Sequence, residues 1–176
     1  MTEQDKKKWD SKYLKNIGNS DPSDILEKYI FLASQGNALD LARATGRNSR
    51  FLAHKGFQVD AVDISNIAIN HLAGQDPRIN AICQDMDTWQ IPQDHYQIII
   101  NIRFMDRRLF PMIEKGLKPG GILIFESFID EKKAYCLEPN ELLNAFENFH
   151  VVYYEEKAAH SDKFDQSVYF VAIKKG

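Results

Sequence analysis

Seven short runs rich in β-branched and aromatic residues punctuate this sequence, and the earlier ones are separated by stretches with helix caps. Asn37 to Ala42 (NALDLA), Phe57 to Asp63 (FQVDAVD), Ile79 to Asp85 (INAICQD) and Tyr96 to Ile102 (YQIIINI) read as strands. So do Gly120 to Phe128 (GGILIFESF), Phe149 to Glu156 (FHVVYYEE) and Ser167 to Lys174 (SVYFVAIK). Asp21-Pro22-Ser23-Asp24 reads as a cap with Pro at the first helical position ahead of ILEKYIFLA. Ser65 caps NIAINHLAG, which Gly74 closes. Strands alternating with helices are the mark of βαβ units, whose crossovers cover both faces of a mostly parallel sheet. Only the polar stretch Lys157 to Gln166 separates the last two runs, too short for a crossover helix, so these pair as an antiparallel hairpin. The predicted fold is α/β: a doubly wound, seven-stranded, mostly parallel sheet with a C-terminal antiparallel hairpin.

Residues 1–176 are long enough to bury one core without disulfides or a structural metal, and a single domain is expected. Lys plus Arg number 22 and Asp plus Glu 25, a net charge of −3. That lacks the basic excess needed to neutralise nucleic-acid phosphates, so no nucleic-acid partner is expected. Cys83 and Cys136 show no Cys-x-x-Cys spacing, and His54, His71, His95, His150 and His160 share no pattern. Neither a disulfide framework nor a metal site is expected, and a reducing compartment fits. The opening MTEQDKKKWD is charged throughout, with Lys6-Lys7-Lys8 reading as a solvated helix start. No apolar run approaches the roughly 18 residues of a membrane span. The expectation is a soluble, cytoplasmic protein, monomeric or homodimeric.

In a doubly wound sheet, ligands lie outside the carboxyl ends of the strands where strand order reverses. The first strand passes through Asp40 into Ala42-Arg43-Ala44-Thr45-Gly46 and then a helix whose free N–H groups suit an electron-rich ligand. The second ends in Asp63, an acid suited to accept two hydrogen bonds from a ribose diol. Both features have a plainer reading, since a turn after a strand needs Gly and an acid ahead of Ser65 serves as a local cap. A nicotinamide-dependent oxidoreductase is a rival, but it requires Gly-x-Gly-x-x-Gly where this turn has one Gly.

Further motifs lie along the chain: WDSKYL (Trp9 to Leu14), DPSDIL, TGRNSRFLAHKGFQVDAVDIS (Thr45 to Ser65) and QDMDTW (Gln84 to Trp89). NIRFMDRRLFPMIEKGLKPGGILIFESF (Asn101 to Phe128) and LEPNELLNAFENF follow. Through them the chain resembles, from Trp9 to Lys174, the class I S-adenosylmethionine-dependent methyltransferases of the tellurite-resistance and thiopurine methyltransferase-like group. The resemblance implies a Rossmann-like fold, S-adenosylmethionine as cofactor and a small-molecule acceptor. It assigns Asp40, Ala42, Arg43, Ala44 and Gly46 to the methionine part of the cofactor, Asp63 with Ile64 to the ribose, and Asp85 and Met86 to the adenine. Asn101 and Arg103 border the space where the methyl group is handed over and are the catalytic candidates. For Asp85 the plainer reading is loop capping, and for Arg103 a solvated side chain or a salt bridge.

The group has a Cys-Gly pair where this chain has Arg43-Ala44, and Asp where it has Gln97. Ala44 brings a Cβ to a close backbone approach, and Arg43 either repels the sulfonium or clamps the cofactor carboxylate. Two functional readings follow. One is a methyltransferase that aligns a small, soft nucleophile with the cofactor methyl, proximity supplying most of the rate. The alternative is a catalytically impaired cofactor-binding or regulatory protein of the same fold.

Overall fold

The computed structural model describes residues 3–15, 21–42 and 46–176. Strands β1 (Asn37–Leu41), β2 (Gln58–Asp63), β3 (Ile79–Cys83), β4 (Tyr96–Ile102) and β5 (Leu117–Ile129) run parallel, and β6 (Phe149–Ala158) and β7 (Gln166–Lys174) complete one seven-stranded sheet. Its order is β3-β2-β1-β4-β5-β7-β6, with β7 antiparallel to both β5 and β6. All seven predicted strands are present, and the C-terminal pair forms the expected hairpin.

The central strands are apolar on both faces because helices cover both. Ile98, Ile100 and Ile102 of β4 join Ile122 and Ile124 of β5 beneath helices α2 (Asp24–Tyr29), α3 (Arg47–His54) and α4 (Asn66–Leu72). Ile99 of β4, with Leu39, Leu41, Leu123 and Phe125, packs on the other side against α5 (Phe110–Gly116) and α6 (Glu141–Ala145). Each fully buried Ile or Leu contributes about 1.5–3 kcal/mol, so this two-sided burial fixes the register of β4 and, with it, the residues at its carboxyl end. Tyr153 and Tyr154 fall on opposite faces of β6, as alternation requires.

Local chemistry sets the helix ends. Ser65 Oγ accepts the Ala68 N–H at 3.3 Å at the start of α4, and Gly74 follows with φ +77°, the left-handed conformation that ends helices. Helix α2 begins at Asp24 with Ser23 as its cap, so Pro22 stands before the cap, not at the expected first helical position. Within the motif LEPNELLNAFENF, α6 holds five residues after Asn140 at φ +60°. The N-terminal helix α1 (Glu3–Lys15) packs Trp9 and Tyr13 against Ile67 and Ala68 of α4.

Candidate active site

Strand order reverses between β1 and β4, and the carboxyl ends of β1, β2, β4 and β5 meet at that edge. Asp40, on β1, is 1% exposed and accepts a 2.6 Å hydrogen bond from Ser49 Oγ of α3. The chain then leaves the sheet through Ala42, whose N–H donates to the Val62 carbonyl at 2.8 Å. Ala42 takes φ +54°. A residue with a Cβ pays roughly 1–2 kcal/mol for this conformation. Arg43 and Ala44 lie outside the described residues. Gly46 re-enters at φ +69° as the cap of α3.

Among the described residues of this turn, Ala42 is the one that carries a Cβ in the left-handed conformation, two positions before the Ala44 that the sequence singles out. Ala42→Gly is expected to raise stability by up to about 1 kcal/mol, the relief of left-handed strain less the roughly 0.5–1 kcal/mol of backbone entropy that Gly adds to the unfolded chain. Thermal denaturation checks this, and a lower midpoint in the variant would show that Ala42 is unstrained.

Asp63 ends β2, buried, and its Oδ1 accepts the Ser65 N–H at 2.8 Å. The local cap is therefore real, whatever else Asp63 holds. Ile64 is buried beside it. Asp10 of α1 reaches the same place, accepting from Ser65 Oγ at 2.5 Å, so α1 is tied to the start of α4. Past β3, Asp85 Oδ1 accepts the Asp87 N–H at 2.9 Å, the capping role that its plainer reading gave it, and Met86 is buried in the apolar core. Arg108, in the segment after β4, bridges Asp87 and Asp106 at 2.6 Å each and so joins the loops after β3 and β4. The Arg108 hydrogen bond holds the Asp106 carboxyl below the usual carboxylate range.

Asn101 lies between Leu41 and Phe125 in the ladder, on the α5 side of the sheet. It is 0% exposed, and neither its Oδ1 nor its Nδ2 has a hydrogen-bond partner among the described residues. Asn48 Nδ2, in the first turn of α3, is buried in the same state, while Asn48 Oδ1 accepts the Ser23 N–H at 3.0 Å. Arg103, just past β4, has φ +59° and forms a salt bridge to Glu126 of β5 at 2.7 Å. Glu126 is 5% exposed and also accepts from Ser23 Oγ at 2.9 Å. These bonds run in series from Asn48 through Ser23 and Glu126 to Arg103; the Ser49–Asp40 bond stands beside them as a separate pair.

Glu126, Ser23 and Asn48 were not among the sequence candidates. Glu126 had one signal, a charge inside the apolar run GGILIFESF, where burial demands a partner. A cavity of about 380 Å³ lined by Gln58, Asp60, Arg78, Asn80 and His95 sits at the amino ends of the strands, the opposite edge from these residues. Among the described residues, no group of three or more His, Cys, Asp or Glu is placed to hold a metal ion, and no helix is long and apolar enough to cross a membrane.

This sheet order, with its one reversed strand next to β5, is the class I methyltransferase fold, a Rossmann-like sheet. Residues 38–121, just under half of the chain, match the family model described as methyltransferase domain. A curated relative, malonyl-[acyl-carrier protein] O-methyltransferase 2 from Ilyobacter polytropus, is 27% identical over 143 residues, which cover 70% of this chain and 55% of that protein. Among solved structures, TehB from Haemophilus influenzae superposes with a TM-score of 0.76 at 18% identity, covering 94% of this chain and 66% of TehB. A 1,6-didemethyltoxoflavin-N1-methyltransferase from Burkholderia thailandensis, solved with 1,6-didemethyltoxoflavin and S-adenosylhomocysteine bound, superposes at 0.67 with 14% identity, covering 86% of this chain and 76% of that one. The chain thus spans about half the length of the curated relative that it matches.

Proposed function

We propose that this chain is an S-adenosylmethionine-dependent methyltransferase domain that acts on a small-molecule acceptor, in the tellurite-resistance and thiopurine methyltransferase-like group. The observation that carries the reading is the gathering of Asp40, Gly46, Asp63 and Asn101 at the carboxyl edge, around the point where strand order reverses. The match over residues 38–121 supports it, because that span holds β1 through the start of β5 and all four residues. The likeness to TehB supports the fold of the finer grouping. A reducing cytoplasm suits the two free cysteines, Cys83 and Cys136.

The residues present fit the cofactor. Buried amide groups without partners among the described residues, Asn48 Nδ2 and both polar atoms of Asn101, cost free energy unless a polar group or water meets them. Asp40, Ala42 and Gly46, with Arg43 and Ala44, would hold the methionine part, Asp63 and Ile64 the ribose, and Asp85 and Met86 the adenine. When bound, the cofactor supplies a methyl group made electrophilic by a sulfonium. The protein's own work is alignment: Asn101 and Arg103 border the acceptor, and the apolar side chains of the α5 side exclude water from it.

A calorimetric titration with S-adenosylmethionine tests the reading, and Asp63→Asn sharpens it. Asn keeps an oxygen for the Ser65 N–H, so α4 stays capped while the charge facing the ribose is lost. Cofactor affinity is expected to fall by about 1–3 kcal/mol, the scale of a charge-assisted hydrogen bond. Undiminished affinity in a folded variant would remove Asp63 from the ribose site.

A further inference from the structure

Arg103 has an environment that the methyltransferase reading leaves unused. Its Nε donates to Glu126 Oε1 at 2.7 Å, and its terminal nitrogens Nη1 and Nη2 have no partner among the described residues. Its guanidinium carbon lies 5.6 Å from the centre of the Phe128 ring. Phe128 in turn stacks on Phe164 of the β6–β7 loop at 4.1 Å, and Tyr135 meets Phe164 edge-on. Lys133, also over Phe164, is committed to Asp130 at 2.6 Å. The Arg103 side chain is 43% exposed, yet it is not free to wander. Its anchor is a buried carboxylate that Ser23 Oγ grips from the other side, and its own N–H donates to the Glu126 carbonyl at 2.5 Å.

We propose that this corner is the acceptor subsite and that it takes an organic acid with an apolar, planar body, the carboxylate lying across Nη1 and Nη2 of Arg103 and the body against the aromatic cluster. The inference rests on the methyltransferase reading. A guanidinium offers parallel N–H donors whose spacing matches a carboxylate, and with Nε taken by Glu126 the pair that remains is the terminal one. Glu126 offsets the Arg103 charge, so the corner selects by paired donors more than by net attraction. A carboxamide presents one acceptor and sets its NH₂ against a donor, leaving groups on both sides unmatched. Glu126 touches no acceptor in this arrangement; it is a positioning residue that acts through Arg103.

The test is a titration of the chain, with and without saturating S-adenosylhomocysteine, using phenylacetate and phenylacetamide as probes. Phenylacetate is expected to bind at least tenfold more tightly than the amide. Arg103→Ala removes the preference, Arg103→Lys retains part of it, and Glu126→Gln weakens phenylacetate severalfold with S-adenosylhomocysteine affinity unchanged. Phe128→Ala weakens both probes alike. No measurable phenylacetate binding, equal affinity for the two probes, or a preference that survives Arg103→Ala overturns the inference. Should Arg103→Ala fail to fold, Arg103→Lys decides: an undiminished preference there has the same consequence. Failure of S-adenosylhomocysteine to bind the unaltered chain overturns the methyltransferase reading instead, and the probe titration of the cofactor-free chain is read separately.

Discussion

Gly46→Ala is expected to lower stability by about 2–5 kcal/mol, or roughly 5–15 °C in melting temperature for a chain of this size. Two causes add. Gly46 sits at φ +69°, where a Cβ costs roughly 1–2 kcal/mol. That Cβ would also lie 2.5 Å from Leu72 Cδ1 and 3.0 Å from Arg50 Nη1. The arginine tip can swing aside, but Leu72, the last residue of α4, is buried in the core shared with α3 and cannot move without disturbing that packing. Such overpacking costs about 1–3 kcal/mol. Leu72→Ala separates the causes. Alone it opens a cavity at about 2–5 kcal/mol, but combined with Gly46→Ala it makes room for the new methyl, so the double variant should lose less than the two singles together. Strict additivity would mean that the backbone angle alone is responsible. Because Gly46 heads α3 beside Asp40 and Ser49, the single variant is also expected to weaken S-adenosylmethionine binding.

Why some of this architecture is legible in the sequence and some is not follows from the range of the forces involved. Strands such as YQIIINI declare themselves because burial on both faces leaves a continuous apolar run, and the hairpin follows from the length of the stretch between Lys157 and Gln166. Ser65 and Gly74 act within one helical turn and are equally readable. The polar series is not, because its partners are remote: Ser23 and Glu126 are 103 positions apart, and Asn48 meets Ser23 across 25. Only the packing of α2 and α3 on the sheet brings them together. Asp63 shows the remaining difficulty. A ribose-binding acid and a helix-capping acid look alike in sequence, and in the structure its Oδ1 does cap Ser65, so resemblance and geometry weigh on different properties of one side chain. At Ala42 the sequence pattern gave no hint of left-handed backbone, since Gly is the residue that usually announces it.

Arg103→Ala is expected to cost about 2–4 kcal/mol at neutral pH, far beyond the half kcal/mol or so typical of a surface substitution. The reason lies in Glu126, which is 5% exposed and would be left with the Ser23 hydroxyl in place of a cation. Removing one member of a fully buried ion pair costs about 3–5 kcal/mol. The lower figure here reflects the exposure of Arg103, which lets water reach the carboxylate once the guanidinium is gone. Two further variants make the cause visible. Glu126→Gln added to Arg103→Ala removes the stranded charge and should recover about 1–2 kcal/mol, whereas two unconnected sites would only add their losses. Arg103→Gly should be more stable than Arg103→Ala by about 1 kcal/mol, the reverse of the usual preference for Ala, because the backbone there is at φ +59°. Chemical denaturation of the four proteins ranks them. If Arg103→Ala falls within about 0.5 kcal/mol of the unaltered chain, the Glu126 carboxylate is better solvated than its burial implies. If Gly ranks below Ala, the left-handed turn after β4 is not what holds Arg103 in place.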